Sequence, residues 1–362
     1  MHVLVLNAGS STLKYALFEL GEAGERTLTS ATIKDGGAAA GALERVLTAL
    51  DEQGQPTPQA LAHRIVHGGR RFTGPVLVDA SVLSELERLI PLAPLHLPPA
   101  IELLRAAQAH FRRAPHVACF DTAFHAELPL VAARLPIPLE LERQGLRRYG
   151  FHGLSYEYAL STLGVPAPRR VIIAHLGSGV SLAAIADGHC VDTTMGLTPS
   201  GGVPMGTRSG DLDPGLLLYL QRERGYSLDR LEHLINHESG LKGLCDTSDM
   251  AELLERCQAG DTTAHSALQQ FCYAIKKQLG AYFAALGGLD VLVFTGGIGE
   301  HAPLVRELVC AGLEPLGIEL DRAQNAQNAA SIGAAAAPIR VLIVSANEEL
   351  VMARAARHLT GG

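Results

Sequence analysis

The chain has 362 residues, 47% hydrophobic and 19% charged, enough for two packed domains rather than one core. A formal net charge of −7 with no basic stripe argues against nucleic-acid binding, and no apolar run is long enough to span a bilayer. The six cysteines (Cys119, Cys190, Cys245, Cys257, Cys272, Cys310) form no CxxC pair, and the N-terminus lacks a basic n-region and a long apolar run. These features point to reduced thiols in a cytoplasmic protein rather than to a disulfide framework, a zinc site or a secreted chain.

Val3 to Leu6 reads as a buried strand and Tyr15 to Leu20 as its antiparallel partner. The turn Asn7-Ala8-Gly9-Ser10-Ser11-Thr12, with Lys14 close behind, gathers backbone N–H groups, three hydroxyls and an ammonium. That is a phosphate site by composition, the alternative being an ordinary Gly/Ser hairpin. A second copy favours the phosphate reading: Val171 to Ala186 repeats the pattern, with Gly177 for Gly9 and Ser178 for Ser10, an offset of 177 − 9 = 168 residues. Two similar domains, each with such a turn, imply a nucleotide held between them.

Between the copies, Gly36 to Gly41 reads as a flexible segment and Ala42 to Leu50 as a helix. Ala60 to Val66 reads as a strand that carries Arg64 and ends in His67-Gly68-Gly69. Ser81 to Ile90 and Pro99 to Phe111 read as amphipathic helices joined by a proline-rich connector. Val117 to Phe120 is a strand delivering Asp121-Thr122-Ala123-Phe124-His125, and Pro129 to Pro138 is the crossing between domains. The second half opens with Arg148-Tyr149-Gly150-Phe151-His152-Gly153, then a helix and the repeated hairpin. Cys190 to Gly215 reads as a long functional loop carrying Arg208. Asp213 and Pro214 cap a helix that Gly225 ends, and helices follow over Ser227 to His237, Ser248 to Cys257 and Thr262 to Leu286. Val291 to Phe294 is a strand breaking into Gly296-Gly297-Ile298-Gly299-Glu300. Val341 to Val344 is another, and Asn347-Glu348-Glu349 starts the C-terminal helix.

Two glycine-rich runs mimic other nucleotide motifs. Gly201 to Ser209 lacks a P-loop's lysine, holding Thr207 there, and no apolar strand feeds it. Gly296 to Gly299 lacks the GxGxxG spacing, although a glycine turn there lets a helix N-terminus approach a nucleotide.

NAGSSTLKY, HRIVHGG, FDTAFH, YGFHG, HLGSG, MGTRSGDLDPG, FTGGIGE and NEELV occur in the order and approximate spacing of the acetate kinases, and the chain resembles that family from Val3 to beyond Leu350. The resemblance implies an α/β fold of two duplicated ribonuclease H-like domains, of the actin, Hsp70 and sugar kinase type, with a nucleotide cleft between them. The first domain is expected over residues 1–123, with helix 349–362 packing back on it, and the second over 124–348. The implied activity is reversible, magnesium-dependent transfer of phosphoryl from ATP to acetate, giving acetyl phosphate and ADP, with manganese as an alternative ion and a homodimer as the assembly.

Phosphoryl transfer to a carboxylate needs charge neutralisation and alignment more than covalent help, because the nucleophile is already ionised. The planar, permanently charged Arg64 and Arg208 suit carboxylate and phosphoryl oxygens. The resemblance places both beside the transferring phosphoryl group, with Arg64 also on the substrate carboxylate. It gives His152 the transition-state charge and Asp121 a catalytic role through magnesium or substrate orientation. Asn7 and Glu348 match the magnesium pair, a sparse set that suits an ion bound mainly by phosphates and water; a helix-end carboxylate is the other reading of Glu348. The acetate pocket matches Val66, Leu95, Phe151 and Pro199. Ser10, Thr12 and Lys14 line the first phosphate turn, and His175, Leu176, Gly177, Ser178 and Gly179 the second. Gly297, Ile298, Gly299, Glu300 and His301 are expected against the adenosine, and Asp249 near the ribose or base.

Five positions depart from the family pattern: Thr12 for serine, which keeps the hydroxyl, Ser178 for asparagine, Ala251 for arginine, Tyr156 for histidine and Leu97 for asparagine. Several of them lie on the nucleotide side, so base preference is left open. Competing readings are a propionate or butyrate kinase of the same family and a non-catalytic nucleotide-binding module, which would have no need of a carboxylate clamp.

Overall fold

The computed structural model describes residues 1–9, 12–22, 24–34 and 39–361. Ser10 and Ser11 of the first phosphate turn, and residues 36–38 of the expected flexible segment, lie outside the described residues. Residues 39–41 of that segment already belong to the helix Ala39–Glu52.

The chain divides into two compact units, residues 1–126 with 151–158 and 347–362, and residues 127–150 with 159–346. This division differs from the boundary expected at 123/124 chiefly in giving residues 151–158 to the first unit. A backbone bond accompanies that assignment: Gly153 N donates to Asp121 O at 2.9 Å.

The first unit is built on a six-stranded sheet in the order β3-β2-β1-β4-β6-β5. The strands are β1 (His2–Ala8), β2 (Thr12–Gly21), β3 (Gly24–Lys34), β4 (Ala60–Ile65), β5 (Val76–Leu77) and β6 (His116–Phe120). β1, β2 and β3 form an antiparallel meander, and β4 and β6 run parallel to β1. Side-chain alternation assigns the two faces. Val3, Val5, Phe18, Ala62 and Cys119 pack on Met352 and Ala356 of the C-terminal helix Glu348–Thr360. Leu4, Leu6, Leu17 and Leu61 pack on Leu43 and Val46 of the helix Ala39–Glu52 and Leu103 of the helix Leu97–His110. Both faces of the central strands are therefore dry, and β1 and β6 read as the apolar runs expected of strands covered on both sides.

The second unit repeats the plan. Its sheet runs β11-β10-β7-β8-β9, from β7 (Arg170–Leu176), β8 (Val180–Ala186), β9 (His189–Thr193), β10 (Val291–Thr295) and β11 (Arg340–Ile343). β7, β8 and β9 form an antiparallel meander, with β10 and then β11 parallel beyond β7. Read from the meander outward, β9-β8-β7-β10-β11 matches β3-β2-β1-β4-β6, with β5 an added edge strand. The duplication inferred from the two hairpins thus extends to five strands, in an α/β fold with two mixed sheets.

Two local expectations change. The loop expected from Cys190 begins only after Thr193, because His189–Thr193 pairs with β8. A six-residue helix, Gly240–Cys245, stands where no element was expected. The expected caps are present: Asp213 accepts from Gly215 N at the start of the helix Pro214–Arg224, and Gly225 ends that helix with φ 67°.

Candidate active site

In the first unit, three adjacent parallel strands bring Asn7, Arg64 and Asp121 to their carboxyl ends, where open α/β sheets bind ligands. The start of the C-terminal helix adds Glu348 and Glu349. Arg64 Nε donates to Asp121 Oδ1 at 2.8 Å and Nη2 to Oδ2 at 2.6 Å, a two-pronged clamp on a carboxylate that is 1% exposed. Arg64 Nη1 donates to Asn7 Oδ1 at 3.2 Å, while Asn7 Nδ2 donates to Glu348 Oε2 at 3.2 Å and to Glu349 Oε1 at 2.8 Å. The amide orientation is chemically determined, since only its NH₂ end can face two carboxylates and only its oxygen can face a guanidinium. Burial pulls the Arg64 guanidinium down, but the charges of Asp121, Glu348 and Glu349 outweigh it and hold the group above its ordinary value.

His152 is buried and takes a left-handed backbone, φ 58°, which costs a non-glycine residue about 1–3 kcal/mol and persists only where the surroundings impose it. The imposition is visible on its C-terminal side. A Cβ on Gly153 would stand 2.1 Å from Asp121 O, so only glycine allows the Gly153 N–Asp121 O bond. Phe151 is buried and meets the edge of His67 at 5.5 Å, one residue beyond the buried Val66. Val66, Phe151, His152 and Asp121 thus fall in one neighbourhood. Leu95 is 38% exposed and Pro199 belongs to the second unit. In the first phosphate turn, Gly9 N donates to Thr12 O at 2.8 Å, and Lys14 lies opposite Asn7 in the β1–β2 register with its side chain exposed.

The second unit gathers the rest. Gly206 N donates to Ser178 O at 3.2 Å, tying the Arg208 loop to the repeated glycine turn. The loop is also laid on the helix Gly240–Cys245: Leu241 N donates to Met205 O at 2.9 Å, and a Cβ on Gly240 would stand 2.1 Å from that same oxygen. Arg208 Nη1 donates to Pro199 O at 2.7 Å, so two of the expected residues are joined. β10 pairs Thr295 with His175 and passes into the helix Gly296–His301, which brings Gly297 to His301 beside the turn 175–179. Glu300 Oε1 accepts from Ala346 N at 3.0 Å. Asp249 is the N-cap of the helix Met250–Gln258, accepting from Ala251 N at 2.7 Å. Arg256 is engaged elsewhere, with Asp261 through two nitrogens and with Cys245 O, so it is not a stand-in for the arginine missing at Ala251.

Sequence reasoning passed over two residues in these clusters. Glu349 shares Asn7 with Glu348; its one signal was adjacency in the Asn-Glu-Glu run. Arg306 is fully buried and donates to Gly299 O at 2.8 Å and Glu300 O at 3.1 Å. An isolated arginine on an amphipathic helix carries no such signal. Among the described residues, no group of three or more His, Cys, Asp or Glu side chains could hold a metal ion.

A carboxylate clamped by an arginine at the ends of parallel strands in one unit, and a strand–glycine turn–strand plan repeated in the sheet of the other, define a phosphotransferase-like α/β protein. A family model described as the acetokinase family matches residues 29–354, and the chain belongs to that family. The acetate kinase of Coprothermobacter proteolyticus is 41% identical over 400 aligned positions, covering 100% of both chains. The crystal structure of Porphyromonas gingivalis acetate kinase is 35% identical with a TM-score of 0.89, covering 99% of each chain. That of a propionate kinase from Francisella tularensis is 34% identical with a TM-score of 0.92, again over 99% of each.

Proposed function

We propose that the chain catalyses the acetate kinase reaction: an acetate oxygen attacks the γ-phosphorus of ATP, the new O–P bond forms as the bond to the β,γ-bridging oxygen breaks, and ADP leaves. No proton need move, since acetate is already ionised. One observation carries the reading: Asp121 takes two of the five N–H groups of Arg64 and Asn7 a third, which leaves two for a second carboxylate or a phosphoryl oxygen. In this reading Asp121 orients Arg64, His152 and Arg208 meet the charge that develops on the phosphoryl oxygens, and Val66, Leu95, Phe151 and Pro199 enclose the methyl group. Thr12, Lys14, His175 to Gly179, Asp249 and Gly297 to His301 hold the nucleotide.

Glu348 suits a magnesium ion held mainly by nucleotide phosphates and water. Asn7 suits it only through its amide oxygen, which here accepts from Arg64. The ion, when bound, would neutralise phosphate charge. A hydroxamate assay with acetate, propionate and butyrate in parallel tests the whole reading. Acetate is expected to give the most product and propionate less, since a hydrophobic pocket discriminates by only about 1–3 kcal/mol per methylene. No ATP-dependent hydroxamate from any of the three would reject it. In the same assay Glu348→Gln should raise the magnesium needed for half-maximal rate; a titration superimposed on wild type would make Glu348 a helix-end carboxylate only.

The homodimer is proposed through the second unit. The helix Pro214–Arg224 has no buried residue although it carries Leu216, Leu218 and Tyr219, which are 40%, 50% and 50% exposed, and Leu228 nearby is 72% exposed. A second copy covering this face would give twice the 38.3 kDa chain mass by sedimentation, and Leu218→Glu should halve it. Sedimentation of the wild type as a monomer would reject the dimer. A cytoplasmic location accords with ATP as co-substrate and with six cysteines that form no disulfide, five of them buried.

A further inference from the structure

The FDTAFH run lends Asp121 to the proposed chemistry and leaves His125 without a task. We infer that His125 is a positioning residue: through the carbonyl of Phe151 it holds the Phe151–His152 peptide, and with it both the pocket wall and the imidazole assigned to the phosphoryl group. The inference rests on the acetate kinase reading and adds to it a residue that touches neither substrate.

His125 closes a short 3-10 turn, Ala123–His125, that follows directly from Asp121, and it is 1% exposed. Its Nε2 lies 3.0 Å from Phe151 O. A carbonyl oxygen only accepts, so Nε2 carries the proton and donates. Burial lowers the imidazole to about 4 against the opposing pull of the Phe151 bond and the Asp121 charge, which keeps the ring neutral and the donor in place around neutral pH. The ring is held edge-on to Phe124 at 5.4 Å and to Tyr156 at 5.6 Å, so it has one orientation to offer.

The segment 121–125 therefore grips 151–153 twice. Asp121 O takes the N–H of Gly153, and His125 gives an N–H to Phe151 O. A third grip acts on the side chain, where Phe151 meets His67, whose Nδ1 accepts from Gly69 N at 3.0 Å. His152 lies between these points in its left-handed conformation. Removing the His125 bond frees one side of a strained residue, and the strain then favours a peptide rotation that moves the His152 ring off its target.

The test compares His125→Gln, whose amide N–H reaches the place of Nε2, with His125→Met, which fills the volume without a donor. Glutamine is expected to keep kcat within about threefold. Methionine should lower kcat about tenfold to a hundredfold and raise the KM for acetate, with the KM for ATP unchanged. Methionine with kcat within twofold of wild type, or equal losses in the two variants, would overturn the inference. Imidazole ¹⁵N NMR of the unliganded wild type reads the same bond without turnover or a foldable variant. A proton on Nε2 from pH 8 to pH 5 is expected, and an Nδ1–H tautomer would overturn it. A wild type that forms no acyl phosphate rejects the acetate kinase reading alone, and the NMR arm still decides the role of His125.

Discussion

Arg64→Ala is expected to lower turnover by about 10²–10³-fold, the loss that follows removal of a preorganised donor to developing charge. The substitution also strikes the fold, because Asp121 is 1% exposed and its two oxygens are held by Arg64. Removing one partner of a buried ion pair costs about 3–5 kcal/mol, so Arg64→Ala should also lower the melting temperature, and lost activity in it mixes two causes. Arg64→Lys separates them. Lysine keeps a cation near Asp121, Glu348 and Glu349 but cannot hold Asp121 with one edge and offer another edge to substrate. Its melting temperature should stay near wild type while kcat falls at least tenfold and the KM for acetate rises. Arg64→Lys with near-normal kcat and KM would show that only the charge matters at this position, and the reading of Arg64 as a two-sided clamp would fail.

What could be read in advance follows the physics of each segment. The two hairpins were legible because β1 and β7 are apolar runs ending in glycine turns, and caps such as Asp213 and Asn347 announce their helices. Strand β3 was not legible, since Gly-Glu-Arg-Thr-Leu-Thr-Ser-Ala-Thr-Ile-Lys is a polar edge strand whose identity comes from pairing with β2. The helix Gly240–Cys245 is equally quiet: six residues with two glycines have little helix propensity, and the segment is secured by its bonds to Met205 and Gly206. At the site, the residues Asn7, Arg64, Asp121 and Glu348 were legible as chemistry, but their mutual bonds were not. That Asn7 turns its nitrogen to Glu348 and its oxygen to Arg64 depends on strand register and on where the last helix begins. His125 and Arg306 act on backbone carbonyls, which leave no mark in a sequence.

Arg306→Leu is expected to destabilise the second unit by about 3–5 kcal/mol, on the scale of breaking a buried charged network. Arg306 is fully buried, and all five of its N–H groups are used. Nε donates to Asn325 Oδ1 at 2.7 Å, Nη1 to Gly299 O and Glu300 O at 2.8 and 3.1 Å, and Nη2 to Asn325 O and Asn328 Oδ1 at 2.8 and 2.6 Å. None of these acceptors is a carboxylate, and burial lowers the guanidinium to about 10. The charge is thus held by dipoles, two of them carbonyls from the last turn of the helix Gly296–His301. Leucine would remove all five bonds and leave buried acceptors such as Gly299 O and Asn325 Oδ1 without this donor, and at roughly 2–4 °C per kcal/mol the melting temperature should drop by about 10 °C. Lysine has three donors for five acceptors, so Arg306→Lys should recover only part of the loss. Because the same carbonyls set the helix proposed to lie against adenosine, any residual enzyme should show a raised KM for ATP and an unchanged KM for acetate. An Arg306→Leu protein melting within a degree or two of wild type would mean that these bonds are not net stabilising. One that melts early but binds ATP normally would detach Gly297 to His301 from the nucleotide.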